Sequence, residues 1–246
     1  MKKVLFATVL AVISFLYSCG GGAGDGVKSA LFGESASLRP MQTQNCTDTV
    51  NSVSALQQAL TQAQSNGQDD VICIQAGTYV VTQTLTYSTP DGDGKKKLTI
   101  KAVGGQVVLN GNQSVRIMSI DTDSDNNSYT SDEGADVTIE GITFQNGNNS
   151  SGDGGGLYVK TREANITLTN NTFSGNQAQY GGGAYASSGS GTVTLTNNTF
   201  SGNQAQYGGG AYAYSGSGTI TLTNNTFSGN QARYGGGAFA RSGLGN

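Results

Sequence analysis

A unit of 27 residues occurs three times in this chain, and no other feature limits its fold so strongly. Ile166-Thr-Leu-Thr-Asn-Asn-Thr-Phe173 returns as Val193 to Phe200 and again as Ile220 to Phe227. Each copy is followed by Ser-Gly-Asn-Gln-Ala and then by Tyr-Gly-Gly-Gly-Ala, at Tyr180 to Ala184, Tyr207 to Ala211 and Tyr234 to Ala238. A fixed period of this size marks a repeat architecture, in which a unit buries its apolar face against its neighbours. Within the unit the period is two. Val193 and Leu195 are apolar and Thr194 and Thr196 polar and β-branched, the pattern of a half-buried strand. The Gly-Gly-Gly and Ser-Gly-Ser-Gly runs punctuate the strands and exclude helix. A propeller blade takes about 40 residues or more, so the unit is too short for one. The expected fold is all-β, a parallel β-helix (solenoid) with one unit per coil.

Stacking the units predicts internal rows. Leu168, Leu195 and Leu222 should lie over one another about 4.8 Å apart, the spacing of neighbouring strands. Phe173, Phe200 and Phe227 should form an aromatic stack. Asn176, Asn203 and Asn230 should form an amide ladder, bonding coil to coil and satisfying backbone at buried turns. Glycine is expected where the chain bends at positive φ or passes close to its neighbour.

The elements Phe173-Ser-Gly-Asn176 and Gly182-Gly183-Ala184-Tyr185, with their two later copies, resemble the right-handed parallel β-helix group, the pectin-lyase-like superfamily. They are similar in particular to the repeats of polymorphic outer-membrane proteins, where an apolar residue follows Gly-Gly-Ala. Here Tyr185, Tyr212 and Phe239 take that place. The likeness covers Asn165 to Asn246 and is looser over residues 71–160. It implies a right-handed coil and two activities found in the group, adhesion and the cutting of acidic polysaccharides.

The N-terminus reads as an export signal. Lys2 and Lys3 precede an apolar stretch from Val4 to Leu16, too short to span a bilayer. Leu16-Tyr17-Ser18-Cys19 resembles a lipobox, which predicts a lipoprotein signal peptide over 1–18 and lipidation of Cys19. Residues 19–45, rich in Gly and Ser, are expected to be a flexible tether. The expected location is outside the cytoplasm, lipid-anchored at the outer membrane or cell surface. Removing residues 1–18 takes Lys2 and Lys3 from 13 basic residues, leaving 11 against 16 acids, a net of −5. With no basic patch, nucleic acid is not an expected partner.

Residues 46–246 are assigned to the β-helix: 46–70 as N-terminal cap, 71–164 as irregular coils and 165–246 as the regular repeats. Cys46 and Cys73 are expected to pair, since an exported chain meets oxidising conditions. Between them Val53, Leu56, Leu60 and Ala63 fall on one helical face. Ser54 and Gln57 have capping-box spacing, and Gly67 is the expected stop. Such a helix would cover the exposed first coil as a cap. Ala76-Gly77-Thr78-Tyr79 is read as a turn leading to strands Thr84 to Tyr87, Leu98 to Ala102, Val107 to Leu109 and Val115 to Ile120. At the other end nothing in the sequence reads as a terminal cap, so the last coil is expected to present an open edge.

Chemistry has few places to reside. From Ala164 to Asn246 there is no Asp, Glu, Lys or His, and only Arg233 and Arg241 carry charge. Histidine is absent from the whole chain, which removes the commonest general base and any His-based zinc site. The regular coils therefore lack the carboxylate pair that glycoside hydrolysis uses. Acids gather earlier, where Asp121, Asp123, Asp125 and Asp132 echo the spacing of a calcium loop. Calcium is the one cofactor this suggests, beside the simpler reading of a solvated acidic loop. Arg116 and Arg162 are the basic residues noted nearby for a lyase.

Outward rows are the remaining feature: Thr167, Thr194 and Thr221, then Thr169, Thr196 and Thr223, then Tyr180, Tyr207 and Tyr234. Aromatic rings can stack on sugars, and hydroxyl or amide rows can bond to them. The leading expectation is a cell-surface adhesin or glycan-binding protein. A polysaccharide lyase or hydrolase is the alternative, and ice binding through the Thr-x-Thr pairs a third. Thr also suits any exposed strand position and Tyr any corner, so the rows alone do not decide.

Overall fold

The computed structural model describes residues 45–243 apart from 91 and 126–133. The signal peptide, Cys19, Asp132 and nearly all of the tether lie outside the described residues. What is described is a parallel β-helix. A regular coil has four short strands, Ile166–Thr169, Thr172–Ser174, Gln177–Tyr180 and Ala184–Ser188, which we call faces one to four. Each strand pairs in parallel with its equivalent one coil on: Ile166 with Val193 and then Ile220, Phe173 with Phe200 and then Phe227. Faces three and four become sheets of four and six strands.

Corners are set by backbone handedness. Asn170, Asn197 and Asn224 take φ of 58°, 56° and 54° between faces one and two, a conformation asparagine tolerates better than most residues. Between faces three and four the glycine triplet is required by space. A Cβ on Gly183 would stand 2.5 Å from Gly210 O and 2.9 Å from the Phe173 Cβ. Successive coils approach too closely there for any side chain.

Alternation sends Ile166, Leu168, Phe173, Ala184 and Ala186 inward, all buried. The alanines of face four leave the lumen to the rings of face two. Phe144, Phe173, Phe200 and Phe227 stack at 5.2, 4.9 and 4.9 Å with planes within 7°. Phe144 thus extends the predicted row by one coil. Two asparagine ladders flank the stack. Asn203 donates its backbone N–H (3.0 Å) and Nδ2 (2.9 Å) to Asn230 Oδ1, and Nδ2 also to Phe173 O (3.0 Å). Its own Oδ1 accepts from Asn176 N (3.0 Å) and Nδ2 (3.0 Å). Asn171, Asn198 and Asn225 repeat the scheme at the preceding corner, a second ladder beyond the predicted one.

The N-terminal helix spans Val53–Ala63 and buries Leu56, Ala59, Leu60 and Ala63. Its cap is Ser52, whose hydroxyl accepts from Ala55 N, rather than Ser54. Gln57, read from the sequence as a capping partner, instead acts as an edge strand would. Its amide oxygen accepts from Thr86 N (2.8 Å) and its Nε2 donates to Thr86 O (2.9 Å). The helix ends at Ala63 with Gln64 as its cap, so Gly67, at φ 70°, lies in the turn beyond. Asp48–Val50 pairs with Ile72 to Ile74, and Cys46 is bonded to Cys73 with a Cα–Cα distance of 5.7 Å. Ala76 to Tyr79 is no turn between strands. Asp70–Val80 is one long strand that rounds a corner, with a register shift between Gln75 and Gly77, and Leu98–Asn110 follows it round. Coil length there departs from 27 residues, and the two earliest coils lack a face-three strand, so that sheet begins at Asn148–Asp153.

Candidate functional site

Outward side chains of faces three and four form two aromatic ladders. Tyr180, Tyr207 and Tyr234 stack at 4.9 and 4.8 Å with planes 5° and 16° apart. Tyr158, Tyr185, Tyr212 and Phe239 stack beside them at 5.2, 5.1 and 5.4 Å. The ladders touch edge to face, Tyr180 against Tyr212 at 5.5 Å and Tyr207 against Phe239 at 5.7 Å. The sequence marked the first ladder only; the second was legible in the residue that follows each Gly-Gly-Ala. Burial pushes the Tyr185 phenol up to about 12, against a smaller opposing effect from its hydrogen bond with Ser187. Burial, with Asp121 and Tyr185 nearby, holds Tyr158 well above the usual phenol range.

The stacking decides what these rings offer. Within a ladder each ring covers the face of the next, so a sugar finds ring edges rather than a flat platform. None of the hydroxyls of Tyr180, Tyr207 and Tyr234 has a hydrogen-bond partner among the described residues, and none is a buried group left unpaired. They face solvent. Face three adds Gln177, Gln204 and Gln231, all exposed, and Gln179, which donates to Gln206 Oε1 at 3.4 Å. At the corner with face two, Gln113, Asn148, Asn176, Gln177 and Gln204 line a polar groove over Gly175 and Gly202.

The described acidic residues do not gather as calcium ligands. Lys160 lies across from Asp121 in register on face four, with Nζ 3.9 Å from Asp121 Oδ2 and 3.4 Å from Asp123 Oδ2. It also donates to Asp123 O at 3.1 Å. An ammonium therefore stands where the first two ligands would converge. Asp125 is exposed, and among the described residues no three acidic, histidine or cysteine side chains form a metal-holding group. Burial raises Asp121, opposed by its bond from Asp123 N and by Lys160.

Arg116 is equally committed. Its Nη2 donates to Asp153 O (2.7 Å), Nε to Gly154 O (3.1 Å) and Nη1 to Ser119 Oγ (3.2 Å). The guanidinium lies 4.8 Å from the Tyr158 ring centroid, closing that ladder at its base. Lys160, Tyr158 and Asp153 were not singled out from the sequence. Lys160 and Tyr158 meet Asp121 and Arg116 through the register of Met118–Asp121 with Leu157–Thr161, and Asp153 does so from the end of the face-three strand before the glycine corner.

Comparison with known families gives a match to the right-handed β-helix region over residues 87–245. Neither the curated proteins nor the solved structures yield a match. The matched segment covers more than half of the chain and coincides with the coils just described, with their parallel register, inner stack and glycine corners. The chain belongs to the right-handed β-helix family, within the pectin-lyase-like superfamily of parallel β-helices.

Proposed function

We propose that this chain is a cell-surface lipoprotein whose β-helix binds glycans, acting as an adhesin. The observation that carries the reading is the nearly uncharged exterior of the regular coils, where Arg233 and Arg241 of the last coil are the only charged side chains among the described residues. Tyrosine hydroxyls and glutamine amides there recur once per coil, with no acid–base pair among them. A surface of this kind can hold a ligand by many weak polar contacts but has no group to break a bond. Lipidation at Cys19 and the tether over 19–45 would hold the coils away from a membrane. The test is binding of the purified chain to intact cells and to an immobilised glycan panel. Replacing Tyr180, Tyr207 and Tyr234 together by alanine should abolish retention while circular dichroism stays β-rich; retention equal to the native chain rejects the surface. Cys19→Ala should move the protein from the membrane to the soluble fraction.

Face one supports a second reading. Thr99, Thr138, Thr167, Thr194 and Thr221 stand in one register, an ordered hydroxyl row of the kind that could meet ordered water. Thermal hysteresis of the native chain, lost in Thr194→Lys, would support ice binding; no hysteresis removes it.

A further inference from the structure

We infer that the ligand of faces three and four is an uncharged, unbranched, polyhydroxylated polymer lying parallel to the coil axis, read by tyrosine hydroxyls and glutamine amides. This rests on the glycan-binding reading above and narrows it.

Three observations lead there. The first is charge. Between Ala164 and Ala232 no residue is ionisable in the acid or base sense apart from tyrosine, and the whole chain is net −3. A uronate or sulfated polymer carries a negative charge at nearly every sugar, and against it the regular coils offer only Arg241 and Arg233, the latter 5.2 Å from the Tyr234 ring in the last coil. Transfer of such a polymer onto a low-dielectric β surface would leave most of its charges unpaired.

The second is ring orientation. Tyr180 and Tyr207 lie 4.9 Å apart with planes 5° from parallel, so their faces are occupied by each other. Their hydroxyls are unpartnered among the described residues and solvent-facing. Recognition through them is by hydrogen bonding, not by stacking, and each hydroxyl can both donate and accept. Carbohydrate hydroxyls have the same dual character.

The third is the period. Tyr207 and Gln204 find their equivalents one coil away at Tyr180 and Gln177, in strict parallel register. Such a surface repeats along one direction only, the coil axis, and the groove beside Gln177 and Gln204 lies along the same corner of successive coils. A small ligand would use one coil and gain nothing from the rest. A polymer whose monomer advances by about one coil spacing meets the same groups at every step, so each added unit raises affinity.

The experiment titrates the full chain with linear β-glucan, xylan and mannan oligosaccharides, graded from disaccharide to octasaccharide, and with polygalacturonate and a sulfated glycan. Each titration is repeated at low and high salt. The expected result is binding of a neutral series, tightening with oligomer length and indifferent to salt. Tyr207→Phe, which keeps the ring in its stack, should weaken that binding about three- to tenfold through loss of one hydroxyl contact. Binding restricted to the anionic polymers and weakened by salt overturns the inference while leaving glycan binding in place. Tyr207→Phe binding as tightly as the native chain overturns it too, since stacking would then be the mode. If no polymer of either kind binds, both this inference and the reading beneath it fall.

Discussion

Gly183 and Gly202 are both glycines at corners, yet they answer to different demands. Gly202 has φ of +62° and open space around its missing Cβ, whereas Gly183 is closed in by Gly210 O and the Phe173 Cβ. Gly202→Asn should therefore change unfolding free energy by no more than about 0.5 kcal/mol, since asparagine tolerates the left-handed region. Gly183→Ala should cost roughly 2–4 kcal/mol through overpacking against backbone that cannot yield. Paired urea titrations would show whether the two differ. Asn203→Ala should be at least as damaging, about 2–5 kcal/mol, because it strands Asn176 N and Phe173 O inside the coil. The half-buried phenols of face four set a pH limit. Tyr158, Tyr185 and Tyr212 all have pKa values raised by burial, so the unfolded chain gives up protons first as pH climbs. Their contribution to stability is whole below the ordinary phenol value near 10 and falls away as pH rises towards about 12, the value for Tyr185. Tyrosinate absorbance should accordingly rise in two phases, the later coinciding with loss of the β signal. A single phase at the ordinary phenol value would contradict the burial of these rings.

At the scale of elements, the N-terminal helix and its neighbours finish the edge of the first coil. Leu85–Ser88 is the first strand of face four and has a paired strand on one side only. Gln57 supplies the missing partner with a donor and an acceptor in place of a backbone. Gln57→Ala should cost about 1–3 kcal/mol and speed hydrogen exchange at the Thr86 amide, leaving the exchange of Thr194 unchanged. The helix itself was legible from its apolar face, but its cap was not: Ser52 and Ser54 are both serines near the start, and backbone direction chooses between them. The same limit hid one asparagine ladder. Asn170-Asn171 shows two amides in a row, and only the left-handed turn at Asn170 sends Asn171 into the lumen. The regular coils were readable because identical units must stack in register. In the earlier coils Leu98 pairs with Val137 across an insertion, so the meeting of Asp121 with Lys160 had no periodic signal to announce it.

For the molecule, the face rows are a consequence of translation: each coil is its predecessor moved along the axis. In such a solid nearly all contacts are made between neighbours, and stability approaches a sum over adjacent pairs. Inserting another copy of residues 193–219 after Thr219 should add one strand to every face and raise the resistance to urea. Adding a single residue within the unit should instead turn an inward row outward and unfold that coil. The stacked coils and their inner leucine, phenylalanine and asparagine rows could be anticipated from the repeat. The charged cluster and the commitment of Arg116 could not, since they belong to the part of the chain where translation is broken. The glycine triplets carry a genetic corollary. Because a coil begins and ends at equivalent points, a replication slip of one whole unit leaves every new seam identical to an old one. The length of the coil stack can then drift between lineages by whole turns, with no fresh interface to evolve.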